Sequence, residues 1–229
     1  MQPSPWHGEL WLARDFALLL GHSGHTVAHA HYAHQALLAL EQPVRLRRGE
    51  VEEQGGLLLI GSMQPHALLP ANQRLLTVFA EPLAFSLEGL AQVLQGAAAN
   101  LEDIAERLQR APRQPLDPRV ERALAALDER LDGRVRAAEL AEQAHLSLSQ
   151  LERLFAGQVG LSVRRLVLWR RLRVALGLAL AGEILTDAAH AAGFADAAHC
   201  SRTVRATFGI RADRQLRHLR VRLLAQCPA

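Results

Sequence analysis

Leu146-Ser147-Leu148-Ser149-Gln150-Leu151-Glu152-Arg153-Leu154-Phe155, closed by Gly160, returns later in the chain as the stretch from Phe194 through Cys200-Ser201-Arg202-Thr203-Val204, closed by Gly209. The downstream matches keep one offset of 49: Arg153 with Arg202, Phe155 with Val204, Gly160 with Gly209. Upstream, Ala141-x-x-Ala144-His145-Leu146 answers Ala189-x-x-Ala192-Gly193-Phe194 at an offset of 48. A unit that occurs twice is a structural module, and its grammar decides the fold of this half.

Each copy has a short helix with a small residue at its packing point, a tight turn, then a polar-capped helix carrying arginine. Alanine lets two helices approach closely, and the turn residue favours positive φ, which Gly193 supplies without strain. His145 occupies the same place in the first copy, where a side chain is tolerated at some cost. Ser147 and Asp196 are placed to cap the second helix of each copy, accepting from free backbone donors. This is helix-turn-helix grammar. Between the copies, Val163 to Leu180 forms one helical pattern with Arg164, Arg165, Arg170, Arg171 and Arg173 set against Leu166, Val167, Leu172, Val174 and Leu176. Eighteen residues span roughly 27 Å at 1.5 Å each. Successive major-groove segments on one DNA face lie about 34 Å apart, so both capped helices can reach the same face.

Charge separates the two halves. Up to Ala111 there are 7 Arg against 11 acidic residues, and from Pro112 onward 19 Arg against 12, giving net charges of −4 and +7. All 26 basic residues are arginine, which excludes Schiff-base and P-loop lysine chemistry and suits bidentate contacts to phosphates and base edges. The basic half is therefore the candidate for a polyanionic partner, double-stranded DNA. The two cysteines, Cys200 and Cys227, suggest neither a disulfide framework nor a cysteine zinc site, and the expected compartment is a reducing cytoplasm. The longest early apolar run, Phe16 to Leu20, stops at Gly21-His22, so neither a signal peptide nor a membrane span is expected.

The first 84 residues show short strands at Phe16–Leu20, Gln35–Leu40, Val44–Leu46, Leu57–Ile60 and Leu75–Phe79, separated by turn signals such as Gly21-His22-Ser23-Gly24, Gln42-Pro43 and Gly55-Gly56. That spacing predicts a small barrel or sandwich. From Ser86 the period becomes helical through Leu87, Leu90, Val93, Leu94 and Ala97, and Asn100 opens a second helix through Leu101, Ile104 and Leu108. This pair, 85–111, either packs on the barrel or dimerises the protein. Ala111 to Pro118, with three prolines, is the linker. The expected class is α+β: an N-terminal barrel over 1–84 with a helical hairpin, then an almost wholly helical domain over 112–229.

From about Arg119 to Leu219 the chain resembles the AraC/XylS family of transcriptional regulators. The residues that carry the resemblance are Ala138-Glu139-Leu140-Ala141 through Leu151-Glu152-Arg153-Leu154-Phe155, and Ala192-Gly193-Phe194-Ala195-Asp196 through Ser201-Arg202 to Phe208-Gly209. The resemblance implies that Ser149, Glu152 and Arg153 face the groove in the first unit and Ala198, His199, Ser201 and Arg202 in the second. Arginine is favoured independently, because one guanidinium can bond guanine O6 and N7 together. Cys200 and Val204 stand where the family commonly has Phe, and Gly209-Ile210-Arg211-Ala212-Asp213 lacks its usual proline. A looser second unit and altered tail packing are the corresponding expectations.

Seven of the 11 histidines, at 7, 22, 25, 29, 31, 34 and 66, precede Ala111. In a strand, His29-Ala30-His31 puts two imidazoles on one face; Gln35 shares that parity and His34 does not unless a bulge intervenes. The segment Trp11 to Pro82 resembles a cupin, whose first motif has a His-x-His pair and then a carboxylate or amide ligand, and whose second motif adds a His. The matching positions are His29, His31, Gln35 and His66, with Gly24 one residue closer than usual and Gln35 in place of the more frequent Glu. Such a set could hold a divalent transition metal, Ni, Zn, Mn or Fe. Equally, the barrel could bind an organic effector without metal, or the histidines could only line a polar pocket. Two functions follow: an effector-controlled, homodimeric DNA-binding regulator, or a metal-dependent cupin enzyme with an accessory helical domain. No nucleophile, acid/base pair or cofactor loop supports the second.

Overall fold

The computed structural model describes residues 8–22, 26–69, 73–209 and 219–224. The chain forms two units, one of residues 1–113 with 204–229 and one of residues 114–203. Among the described residues the first holds nine strands: β1 (Gly8–Leu12), β2 (Phe16–His22), β3 (His34–Ala39), β4 (Val44–Arg48), β5 (Val51–Gly55), β6 (Leu57–Ile60), β7 (Ala67–Leu68), β8 (Arg74–Ala80) and β9 (Leu219–Leu223). The expected barrel takes the form of two sheets, ordered β6-β3-β8-β2-β1-β9 and β5-β4-β7.

Alternation along the large sheet separates two faces. Phe16, Leu18, Ala36, Leu38, Leu76 and Val78 form one buried face, packed with Leu90, Leu94, Leu101, Ile104 and Leu108 of the helix pair α1 (Leu87–Leu94) and α2 (Leu101–Arg110). Each such leucine contributes about 1.5–3 kcal/mol on leaving water. The apolar stripes of both helices are thus taken up inside this unit. Ser86 Oγ accepts from Gly89 N at 2.9 Å and Asn100 Oδ1 from Asp103 N at 2.8 Å, so both expected caps form. The opposite sheet face carries Leu19, Gln35, Leu37, Leu75, Thr77 and Phe79, among which Gln35 and Thr77 are buried polar groups.

Arg113 ends this part of the chain with a two-pronged ion pair to Asp15 (2.7 and 3.2 Å), a hydrogen bond to Leu108 O and a guanidinium 4.6 Å from the Phe85 ring centroid. The linker stops one residue earlier than expected. Pro118 lies in the first turn of α3 (Pro118–Asp128), where its missing N–H costs nothing, and Asp117 Oδ1 accepts from Arg119 N at 2.8 Å.

The second unit is helical: α3, α4 (Ala137–Gln143), α5 (Leu148–Leu154), a π-helical turn at Phe155–Val159, α6 (Val163–Leu180), α7 (Leu185–Ala191) and the first half of α8 (Ala197–Phe208). Its interior includes Leu127, Leu140, Leu151, Phe155, Leu166 and Leu172. The expectation of one helical domain over 112–229 differs from this division at its C-terminal end. From Val204 the chain rejoins the first unit, and Leu219–Leu223 is a strand, parallel to β1 with Leu10 opposite Val221. The alternation Leu-Arg-Val-Arg-Leu favours an edge strand, and Arg222 lies 4.4 Å over the Trp11 ring. His7, His25, Gly24, Cys227 and the segment from Ile210 to Asp213 lie outside the described residues. Among the described residues no helix is long and apolar enough to cross a membrane.

Candidate nucleic-acid interface and candidate metal centre

The sequence repeat is a repeat of hydrogen bonds. In the first turn His145 N donates to Glu142 O (3.0 Å) and Leu146 N to Ala141 O (2.8 Å); in the second Gly193 N donates to His190 O (2.9 Å) and Phe194 N to Ala189 O (2.9 Å). His145 has φ 56° and Gly193 φ 79°, so both copies use the left-handed region at the same place. Ala141, Ala144, Ala189 and Ala192 are buried at the close approaches. α5 begins with a full capping box, Ser147 Oγ accepting from Gln150 N while Gln150 Oε1 accepts from Ser147 N. Asp196 Oδ1 accepts from His199 N at the start of α8.

Ser149, Glu152 and Arg153 are exposed on α5; on α8 Ala198 and Arg202 are exposed and His199 and Ser201 half-buried. The His199 ring stands edge-on to Phe194 with centroids 5.2 Å apart, so it is partly a packing residue. Neither Arg153 nor Arg202 makes an ion pair among the described residues, which leaves both forks free to meet an anion or a base edge. The arginines of α6 behave differently from the expected single basic face. Arg171 donates to Leu131 O at 2.9 Å and to Gly133 O, holding the α3–α4 loop, and Arg170 lies 3.8 Å from Asp128. Arg164 and Arg165 stay exposed. Arg171 lies seven residues, close to two turns, after Arg164 on nearly the same face, and there it meets the α3–α4 loop instead of solvent.

In the first unit, His29-Ala30-His31 is not a strand. His29 makes an isolated antiparallel bridge to His66, with His29 N donating to His66 O and His66 N to His29 O, both at 2.9 Å. The bridge brings together what the expected strand parity would have. Ring centroids are 4.2 Å apart for His29 and His66, 5.1 Å for His31 and His66, and 5.7 Å for His29 and His31. Candidate ligating atoms of all three lie within 4.8 Å of one another.

Every Nδ1 in this cluster donates to a backbone carbonyl two residues away: His29 to Val27 O (2.8 Å), His31 to Ala33 O (2.9 Å) and His66 to Gln64 O (2.9 Å). A carbonyl only accepts, so the proton sits on Nδ1 and each Nε2 presents a lone pair. Burial pushes all three pKa values down, His31 to about 3 and His66 to about 4, with the neighbouring imidazoles adding to the effect at His31. The rings are neutral at pH 7. His66 Nε2 is buried with no partner, and His31 Nε2 is hydrogen-bonded at 3.1 Å to the Gln35 side-chain amide, which can turn either its NH2 or its oxygen inward. The unpartnered His66 Nε2, with ligating atoms of His29 and His31 within 4.8 Å, makes the residues present fit a divalent metal. His34 stands apart, its Nδ1 accepting from Ser62 N at 3.0 Å.

Two neighbours of the cluster had no signal in the local sequence. Phe79 and Phe208 place their ring centroids 5.5 and 5.9 Å from that of His31. Gly209, at φ 66°, lies so close that a Cβ there would be 2.8 Å from His29 Nδ1 and 2.7 Å from Val27 O. Phe208 and Gly209 stand 142 to 180 residues from the three histidines along the chain, beyond the reach of any periodicity argument.

Residues 140–220 match a family described as a helix-turn-helix domain. No curated protein sequence matches the chain. Among solved structures, apo ToxT K231A from Vibrio cholerae strain SCE256 aligns at TM-score 0.60 and 11% identity, over 89% of this chain and 97% of that one. Unsaturated-fatty-acid-bound ToxT of the same strain aligns at TM-score 0.55 and 9% identity, over 87% and 94%. An AraC-type DNA-binding-domain protein from Chromobacterium violaceum shares 26% identity over 41% of this chain and 85% of its own, at TM-score 0.39. The two ToxT alignments show the shared fold across both units.

Proposed function

We propose that this chain is a helix-turn-helix regulator of the AraC type, which binds tandem major-groove segments of a specific operator under control of a divalent transition metal held in its N-terminal unit. The duplicated turn with Arg153 and Arg202 free at matching positions supports the DNA reading. Arg153 and Arg202 supply bidentate base contacts; Ser149, Glu152, Ala198, His199 and Ser201 complete the two reading surfaces. Arg164 and Arg165 supply phosphate contacts.

The convergence of three Nε2 lone pairs supports the metal. His29, His31 and His66 would hold it with Gln35, and the ion, Ni, Zn, Mn or Fe, would supply a fixed positive charge among these side chains. An organic effector is the second reading. Thr77 favours it, because its fully buried hydroxyl has no partner and shares a sheet face with Gln35. Fatty acid binding by ToxT belongs to the same argument. We place the protein in the cytoplasm as a homodimer that contacts its copy through the outward faces of α1 and α2, the inward stripes being already used. The duplicated helix-turn-helix disfavours the metal-dependent cupin enzyme.

Two measurements test this reading. Affinity for duplex DNA is expected to fall steeply and linearly in log K against log salt, whereas a cupin enzyme shows no such slope. Native mass spectrometry of tag-free protein is expected to show near-stoichiometric metal, lost in the His29→Ala/His31→Ala double variant. A metal-free, folded wild type overturns the metal and leaves the organic effector.

A further inference from the structure

α8 is one continuous helix whose first half carries Ala198, His199, Ser201 and Arg202 and whose last turn lies in the N-terminal unit. Phe208 ends it, with its ring 5.9 Å from His31 and 6.2 Å, edge-on, from Phe79. Gly209 follows, its amide closing the helix on Arg205 O. Its backbone abuts the hydrogen bond between His29 Nδ1 and Val27 O, the bond that sets the tautomer and ring plane of His29. Only glycine fits, for two independent reasons: the left-handed φ and the missing space for a Cβ. The end of the second reading helix therefore rests on the histidine cluster itself.

We propose that Phe208 and Gly209 are the cover of the metal site and its transmitter, so that metal held by His29, His31, His66 and Gln35 fixes the last turn of α8 and thereby the DNA affinity of the second reading surface. The proposal rests on the metal reading above. Holding His29 in one orientation orders the Gly209 backbone against it, and the converse holds by linkage: whatever orders α8 on DNA strengthens metal binding by the same factor. Arg202 lies six residues from Phe208, about 9 Å along the axis at 1.5 Å per residue, with an unbroken helix between them.

The test uses the full-length chain and zinc or nickel as the probe. Hydrogen exchange of wild type is measured with and without metal, and metal affinity is measured by competition with a chromophoric chelator, with and without operator-length duplex. Exchange of amides 204–209 is expected to slow at least tenfold on loading. DNA is expected to tighten metal binding several-fold, and the Phe208→Leu and Phe208→Ala variants to lose that coupling while still binding metal. Full-strength metal binding by wild type with unchanged exchange at 204–209 and equal affinity on and off DNA would overturn the transmitter while leaving the metal site standing. Failure of wild type to bind either metal overturns both. If Phe208→Ala does not fold, Phe208→Leu and the wild-type exchange data decide alone.

Discussion

Replacing Gly193 by alanine isolates the cost of the second turn. Gly193 has φ 79°, and an added Cβ would lie 2.9 Å from Arg171 Nε, 3.0 Å from Arg171 Cζ and 3.0 Å from Leu131 O. The left-handed conformation alone costs about 1–2 kcal/mol for an L side chain. The Leu131 carbonyl is backbone and cannot swing away, so the Arg171 guanidinium must give, and with it the hydrogen bonds to Leu131 O and Gly133 O. Losing one charge-assisted bond adds about 1.5–3 kcal/mol. The expected destabilisation is about 3 kcal/mol, which in a unit of this size lowers the midpoint by roughly 12 °C or more. The reciprocal change, His145→Gly, meets an existing non-glycine residue at φ 56°. Relief of strain there is offset by about 0.5–1 kcal/mol of extra unfolded-state entropy, so the net change is within about 1 kcal/mol. Urea denaturation followed by circular dichroism measures both. A Gly193→Ala variant within 0.5 kcal/mol of wild type, or a His145→Gly variant more damaging than Gly193→Ala, would refute the reasoning.

Arg202→Ala is expected to cost about 1–3 kcal/mol in operator affinity and to relax preference at one base in selection from a randomised duplex library; unchanged selectivity sinks the base contact. Ser147→Ala removes half of the capping box of α5 and is expected to cost about 1 kcal/mol of stability in urea, whereas Ser147→Asp retains most of it. Asp117, held at about 2 by hydrogen bonds from Arg119, stays ionised in the folded protein to well below the usual carboxylate range. Its contribution at the α3 N-terminus is full above the unfolded value near 3.8 and disappears as pH falls through about 2. A carboxyl carbon titration by NMR with a midpoint near 3.8 would contradict that.

Long, periodic and duplicated features were legible in the chain. Val163–Leu180 is one helix between the bounds that periodicity set, because Ser162 caps it and Ala181-Gly182 stops it. The turns at His145 and Gly193 follow from sequence because their conformation is local. Strands formed by distant pairing were less legible. β5, Val51-Glu-Glu-Gln-Gly, carries little apolar signal and exists through its pairing with β4, including Arg45 to Glu52 at 2.9 Å. β7 is two residues long, and β9 alternates clearly but sits at the end of a helical stretch. The three histidines lie together as the sequence pattern suggested, but through an isolated bridge and not a strand, since such a bridge has no periodicity to detect. Arg171 illustrates the general difficulty: composition gave it a basic surface, whereas carbonyls 38 and 40 residues away gave it a structural task.

The parallel pairing of β9 with β1 makes the helical unit an insertion, with the chain leaving the first unit after Arg113 and re-entering it at Val204. A single cut in the 111–117 segment therefore does not yield two separable pieces, because the C-terminal fragment still contributes the outermost strand of the N-terminal sheet. A fragment begun at 112 and carried to the end would instead bear a strand without its neighbour, an unpaired edge of the kind that drives aggregation. Ending that fragment at Gly209 removes the orphan strand and keeps α8 whole.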